Sequence, residues 1–505
     1  LQTKFIKKLQ LTKKNVATVI LMLLAIFVEI FQPTENVEEE LKMGILAAVA
    51  VPHPPIILPE IGHGEEEKIS ATSNAYKEIS RRIVELNPDT IIITSPHSIL
   101  YADYFHISPG ETAEGDMARF RAPQVSLKIN YDVEFVDKLS EVAMNESIPA
   151  GKMGERDKTL DHGTFIPVRF LEQAGLDLNK VKFLRIGLSG LSAETHYKFG
   201  QIISKVANEL NRRVVFIASG DLSHKLPGSH YGFVEESLVF DKEVMENLGD
   251  ADFLKLLTMD NKMCNRAAEC GLRSFWIMAG ALDKKSVAAE KLSYEGPFGV
   301  GYGVVWYEIG GENSARNFEE QLKNFNHEEY IKRKNSEDEF VKLARLSLET
   351  FVKTHKPAEL PKNLPAEMTD RRAGTFVSLH KDGNLRGCIG TFLPTTNSIA
   401  EEILQNAISA CSRDPRFSPV EVSELDDIVY SVDILGEPER IFDAKDLNPK
   451  TFGVIVENGG RRGLLLPDLE GIDTVEQQIS IAKQKAHIGE REKVDLWRFD
   501  VIRHH

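Results

Sequence analysis

Four histidines lie on turn-like stretches in the first half of the chain, and their placing points to metal chemistry. His53 follows the apolar run Gly44–Val51 within Pro52-His-Pro-Pro55, and His97 follows Thr90–Thr94 within Ser95-Pro-His97. His224 closes Ser219-Gly-Asp-Leu-Ser-His224 after the run Val214–Ala218, and His162 lies in Leu160-Asp-His-Gly-Thr164. Imidazole is the commonest protein ligand for first-row metals. A single loop histidine is usually a solvated residue, whereas several that converge on one sheet edge make a site. His53 and His97, each one or two residues past a strand-like run, are the expected ligands of a mononuclear metal centre. Pro52, Pro54 and Pro55 stiffen the backbone around the first of them. A third donor is required. Glu269 and Cys270 are neighbours within Asn265–Leu282, a stretch with helical patterning that puts Leu272, Phe275, Trp276 and Ala279 on one stripe. Taken alone, Glu269 reads as an i,i+4 partner of Arg273, and Cys270 as a small buried hydrophobe.

Such groups converge only if strands deliver them to a common edge, and in open α/β sheets ligands bind beyond the carboxyl ends of the strands. The runs named above, with Phe183–Leu188 and the Gly-alternating segment Phe298–Ile309, suit strands buried on both faces. Glu66–Leu86 and Ala193–Leu210 between them carry apolar residues at helical spacing. The expectation for residues 43–309 is an α/β domain with a mainly parallel central sheet flanked by helices. Residues 310–335 are polar and read as a linker with a solvated helix through Phe318–Phe325. Residues 336–505 read as a smaller α/β (α+β) domain, with a helical pattern from Phe340 to Phe351 and strand-like runs at Gly374–Leu379, Ile428–Ile434 and Arg462–Leu466.

Composition narrows the function classes. The 505 residues are 42% hydrophobic and 27% charged, ordinary globular material with mass for more than one core. A net charge of −15 argues against broad, sequence-independent nucleic-acid binding. Four cysteines do not make a disulfide framework and read as cytosolic thiols. At the N-terminus, Lys4, Lys7, Lys8, Lys13 and Lys14 precede an apolar run of 13 residues from Val16 to Val28, short of the about 20 a membrane span needs. The layout is signal-like but lacks a small-residue cleavage site. Glu38-Glu39-Glu40 ahead of Met43 is what a purine-rich ribosome-binding site yields when translated. The expected native start is Met43, with residues 1–42 a non-native extension, a cytoplasmic location and no stable membrane association.

Leu385-Arg-Gly-Cys-Ile-Gly390 is the sharpest motif of the second domain. Cys388 is either packing beside a glycine bulge or a thiol activated by Arg386, since a nearby cation lowers a thiol pKa. Cys411-Ser-Arg-Asp-Pro-Arg-Phe417 offers Arg413 and Arg416 to an anion.

Together these motifs carry two resemblances. His53, Pro96-His97, Asp161-His162-Gly163, Ser219 through His224, Glu269-Cys270-Gly271 ahead of Trp276 through Leu282, and Gly299-Val-Gly-Tyr302 resemble, in order over about 265 residues, the LigB-type class III extradiol dioxygenases, a superfamily shared by the Memo proteins. The resemblance implies Fe(II) held by two histidines and a carboxylate, with open positions for a dihydroxy-aromatic substrate and dioxygen. It makes His53 and His97 the histidine ligands, His224 the catalytic acid/base and His162 the contact to a substrate oxygen. For the third ligand it points to Glu269, with Cys270, where Memo proteins carry a cysteine, as a softer choice suited to zinc or copper(I). The second domain resembles the AMMECR-type domain over about 165 residues, through the motifs around Cys388 and Asp414, Ser431 through Pro438, and Gly463-Leu-Leu-Leu-Pro467. The pairing resembles a fused AmmeMemoRadiSam component and implies a separate radical-SAM protein as partner, a free aromatic or a modified macromolecule as substrate, and pairing into a homodimer. A metal-binding scaffold and a metal-dependent hydrolase are the competing functions.

Overall fold

The computed structural model describes residues 43–381, 384–469 and 471–505. The N-terminal extension read over residues 1–42 lies outside them. In the first domain β1 (Gly44–Val51) leads through α1 (Ser70–Leu86) to β2 (Thr90–Ser95). A hairpin follows, β3 (Thr112–Met117) and β4 (Ala122–Tyr131), then α2 (Val133–Asn145), α3 (His162–Gln173), β5 (Lys182–Gly187), α4 (Ala193–Glu209) and β6 (Arg213–Ser219). After α5 (Leu272–Ala281) the chain closes the sheet with β7 (Lys285–Glu295) and β8 (Tyr302–Glu312). The eight strands lie in the order β3-β4-β5-β2-β6-β1-β8-β7. The pairings from β4 through β5, β2 and β6 to β1 are parallel, and the outer pairings are antiparallel.

This mainly parallel α/β sheet is the expected one, and burial explains why its centre was legible. Every residue of β2 is buried, and separate apolar cores cover the two faces, one around Phe105, Phe199 and Phe275, the other around Tyr76, Phe165 and Phe183. Continuous apolar runs are what two covered faces demand. Strands β3 and β7 alternate exposed and covered residues, as half-solvated edge strands do, and carry no such run.

Two segments differ from expectation. Asn265–Leu282 is not one helix. A helix over Asn261–Ala267 ends where Ala268 turns into the left-handed region at φ 55°, and α5 begins afresh at Leu272. The polar stretch 310–335 is mostly regular structure, because β8 runs to Glu312 and α6 (Phe318–Ser336) buries Phe318 and Leu322 against the first core.

The second domain is α+β. It contains α7 (Glu339–Thr354), β9 (Thr375–Lys381), β10 (Asn384–Gly390), α8 (Ile399–Ser412), β11 (Val429–Leu435), β12 (Glu439–Ile441), β13 (Gly453–Asn458), β14 (Arg461–Leu465), α9 (Val475–Lys485), β15 (Asp495–Phe499) and β16 (Val501–His504). Two antiparallel sheets result, β10-β9-β11-β16 and β12-β15-β13-β14. Among the described residues no helix is long and apolar enough to cross a membrane.

Cys388 on β10 is not activated by Arg386. That guanidinium is held by Glu424 at 2.9 and 3.0 Å and by the Ser418 carbonyl at 2.8 Å. Burial raises the Cys388 thiol above its usual value, so the packing reading fits it better. Its backbone N–H donates to Asp414 at 2.9 Å, and the same carboxylate accepts from Arg416 at 2.7 Å, which ties β10 to the loop after α8. The Arg416 hydrogen bond holds Asp414 at about 2, below an unfolded value of about 3.9. A carboxylate depressed in the folded state stabilises fully above its unfolded pKa, and that stability is lost as pH falls through the folded one. Asp414→Asn is expected to cost about 1.5–3 kcal/mol at neutral pH, the range for hydrogen bonds to charged groups. In thermal melts, the gap between wild type and variant should shrink as pH falls from 4 toward 2.

Candidate metal centre

The strand order brings the site together. Strands β2, β6 and β1 are adjacent and parallel, so the loops carrying His97, Asp221 and His53 leave the same edge side by side. His162 opens α3, whose N-cap Asp161 accepts the Thr164 N–H at 3.1 Å. Cys270 comes from the break ahead of α5. It reaches the edge because two glycine backbones meet there: a Cβ on Gly220 would stand 2.1 Å from the Gly271 Cα.

The Nε2 atoms of His53 and His97 lie 2.9 Å apart. The His162 ring stacks on His97 with centroids 4.0 Å apart and meets His53 edge-on at 5.4 Å. His53, His97 and His162 present ring nitrogens within 4.8 Å of one another, and His53 belongs to a second such group with Asp221 and Cys270. The Cys270 Sγ is 3.8 Å from His53 Nε2, and Asp221 Oδ2 is 3.9 Å from it. Two donors each about 2.0–2.1 Å from one cation would stand about 3 Å apart at a right angle, close to the observed nitrogen separation.

Hydrogen bonding fixes which His53 nitrogen faces this point. Ser219 donates its only hydroxyl proton to the Gly163 carbonyl at 2.6 Å. Its oxygen must therefore accept from His53 Nδ1, 2.9 Å away. His53 is thus the Nδ1–H tautomer, with the Nε2 lone pair turned toward His97, as a metal ligand requires. Burial, then the neighbouring His97, keeps His53 well below the usual imidazole value. Burial, then His97, lowers His162 to about 3. Both rings are therefore neutral near pH 7. Asp221 accepts the His53 backbone N–H at 2.8 Å and donates its own to the Cys270 Sγ at 3.3 Å. Burial raises the Asp221 carboxyl, and burial followed by Asp221 raises the Cys270 thiol well above its usual range. A divalent cation would reverse both shifts, because it favours the charged forms that burial penalises. The donor set therefore fits a metal with mixed nitrogen, oxygen and sulfur ligands. His224 lies at the rim, its Nε2 4.0 Å from Asp221 Oδ2 and its buried Nδ1 without a hydrogen-bond partner.

Of the sequence-derived residues, the structure brings His53, His97 and His162 together, with His224 beside them. It does not bring Glu269. That carboxylate accepts the Leu272 N–H at 2.7 Å, caps the start of α5 and belongs to neither donor group. The turn at Ala268 is the reason, since it points Glu269 along the new helix and Cys270 into the cluster. Asp221 is the residue sequence reading missed as a donor. The available signal was its place two residues past the end of β6, the relation His53 bears to β1.

Comparisons with known proteins agree with this architecture. Residues 47–305 match the family model for the catalytic LigB subunit of aromatic ring-opening dioxygenase, and residues 341–504 match the AMMECR1 model. A Clostridium acetobutylicum protein is 41% identical over 463 residues, 90% of this chain and 98% of that one. A Thermotoga maritima protein is 54% identical over 170 residues, 33% of this chain and 98% of its own. A solved structure from Pyrococcus horikoshii covers 32% of this chain and 88% of its own, at 32% identity and a TM-score of 0.31. The chain belongs to the LigB family, with an AMMECR1 domain fused at its C-terminal end.

Proposed function

We propose that the chain is a non-heme, Fe(II)-dependent oxidoreductase of the extradiol type, acting on a dihydroxy-aromatic group. The observation that supports it is the 2.9 Å approach of the His53 and His97 Nε2 atoms beside a buried carboxylate. His53, His97 and Asp221 make the two-histidine, one-carboxylate set that suits Fe(II) and dioxygen, in place of the set with Glu269. Bound there, the metal would hold diol and dioxygen together and stabilise developing negative charge. The protein's own groups do the rest. His224 faces Asp221 from the rim and takes a phenolic proton, then returns it. His162, neutral and stacked on His97, donates a hydrogen bond to a substrate oxygen. The AMMECR1 domain would serve a carrier-bound substrate or a radical-SAM partner.

One observation favours a second reading. The Cys270 Sγ shares a donor group with His53 and Asp221, and a thiolate ligand suits zinc or copper(I) in a binding module.

Loading protein with metal anaerobically and measuring dioxygen uptake with catechols separates the two. Iron retention with uptake supports the oxygenase, and tight zinc without uptake supports the module. Ser219→Ala, which frees the His53 tautomer, is expected to weaken metal binding about 10–100-fold. His53→Ala should remove the metal, and Glu269→Gln should leave its affinity unchanged in the same competition assay with a chelator. His224→Ala should keep iron bound and slow uptake by about 10²–10⁴.

A further inference from the structure

A cavity of about 1070 Å³ opens at His97 and His162 and runs between the β3–β4 hairpin and the segment preceding β5. Ligand pockets of about 300–1,000 Å³ hold drug-sized molecules, so a bare catechol ring would leave most of this space unfilled. Phe120, its ring 5.5 Å from His162, walls the end where an aromatic head would sit.

The lining charges say what the remainder accepts. Most of the acids are already engaged by the protein. Asp157 accepts the Thr159 N–H at 2.9 Å, Asp161 the Thr164 hydroxyl at 2.9 Å, and Asp177 the Asn179 N–H at 3.1 Å, while Glu172 pairs with Arg169. Arg185, the one buried base, is spent on Ser108 at 2.7 Å and on the Thr159 and Asp157 carbonyls. Arg119 and Lys128 also line the cavity, and among the described residues neither side chain makes a hydrogen bond or ion pair. Glu114 stands opposite Lys128 in the strand register without pairing to it and offsets one of these two charges.

We infer that the substrate is an aromatic diol carrying an extended anionic tail, with the diol at His97 and His162 and the tail's carboxylate or phosphate at Arg119 and Lys128. This rests on the aromatic-diol reading of the metal centre. The two cations stand on an edge hairpin away from the metal donors, so they select the substrate without entering the chemistry. Their effect should weaken with added salt, because exposed charges are screened.

The test is calorimetric titration of full-length protein loaded with Fe(II) under nitrogen. The probes are catechol, N-(3,4-dihydroxycinnamoyl)glutamate and the matching putrescine amide. The glutamate conjugate is expected to bind at least tenfold tighter than either other probe. Arg119→Glu combined with Lys128→Glu should erase that preference and leave the catechol affinity unchanged. Equal affinities for the three, or a preference for the putrescine amide, would overturn the anionic tail while leaving the diol reading standing. If none of the three diols binds the loaded protein, the diol reading itself falls, and the tail with it.

Discussion

The site depends on how His53 is held. Its backbone N–H is fixed by Asp221, its Nδ1 by Ser219, and Ser219 in turn by the Gly163 carbonyl beside His162. One short relay therefore ties together the loops after β1 and β6 and the start of α3. It sets the ring's orientation and its tautomer at once. A buried imidazole without that relay could turn its protonated nitrogen to the centre, and the lone pair that a cation needs would be lost.

The rest of the first domain serves this geometry. Parallel pairing of β2, β6 and β1 makes three adjacent loops emerge at one edge, and the apolar cores on both sheet faces hold those strands in register. The break between the helix Asn261–Ala267 and α5 then brings a fourth segment to the edge. It is possible because Gly220 and Gly271 leave room for backbone to touch backbone. The buried Asp221 and Cys270 are unfavourable as free ionised groups. That cost is accepted where a cation completes the cluster.

Much of this was legible in the sequence, for physical reasons. Strands covered on both faces must be continuously apolar, and so the β1, β2, β5 and β6 runs stood out, with His53 and His97 just past two of them. The third ligand was not legible, because helical periodicity runs through Ala268 without a break. Nothing in residue type there requires a left-handed turn, since alanine is a good helix former. Tertiary contact at Gly220 decided it, and turned Cys270 rather than Glu269 inward. Asp221 was overlooked since Ser219 through His224 was read for its histidine alone. The edge strands β3 and β7 and most of α6 were missed because half-solvated elements carry weaker patterns than buried ones.

The central claim is that a cation sits between the Nε2 atoms of His53 and His97. Anomalous diffraction from crystals of iron-loaded protein at the iron edge tests it most directly. The account predicts one peak about 2.0–2.3 Å from both nitrogens, with Asp221 or Cys270 completing the shell and Glu269 still bonded to Leu272. A peak held by Glu269, or one away from the two histidines, would contradict it.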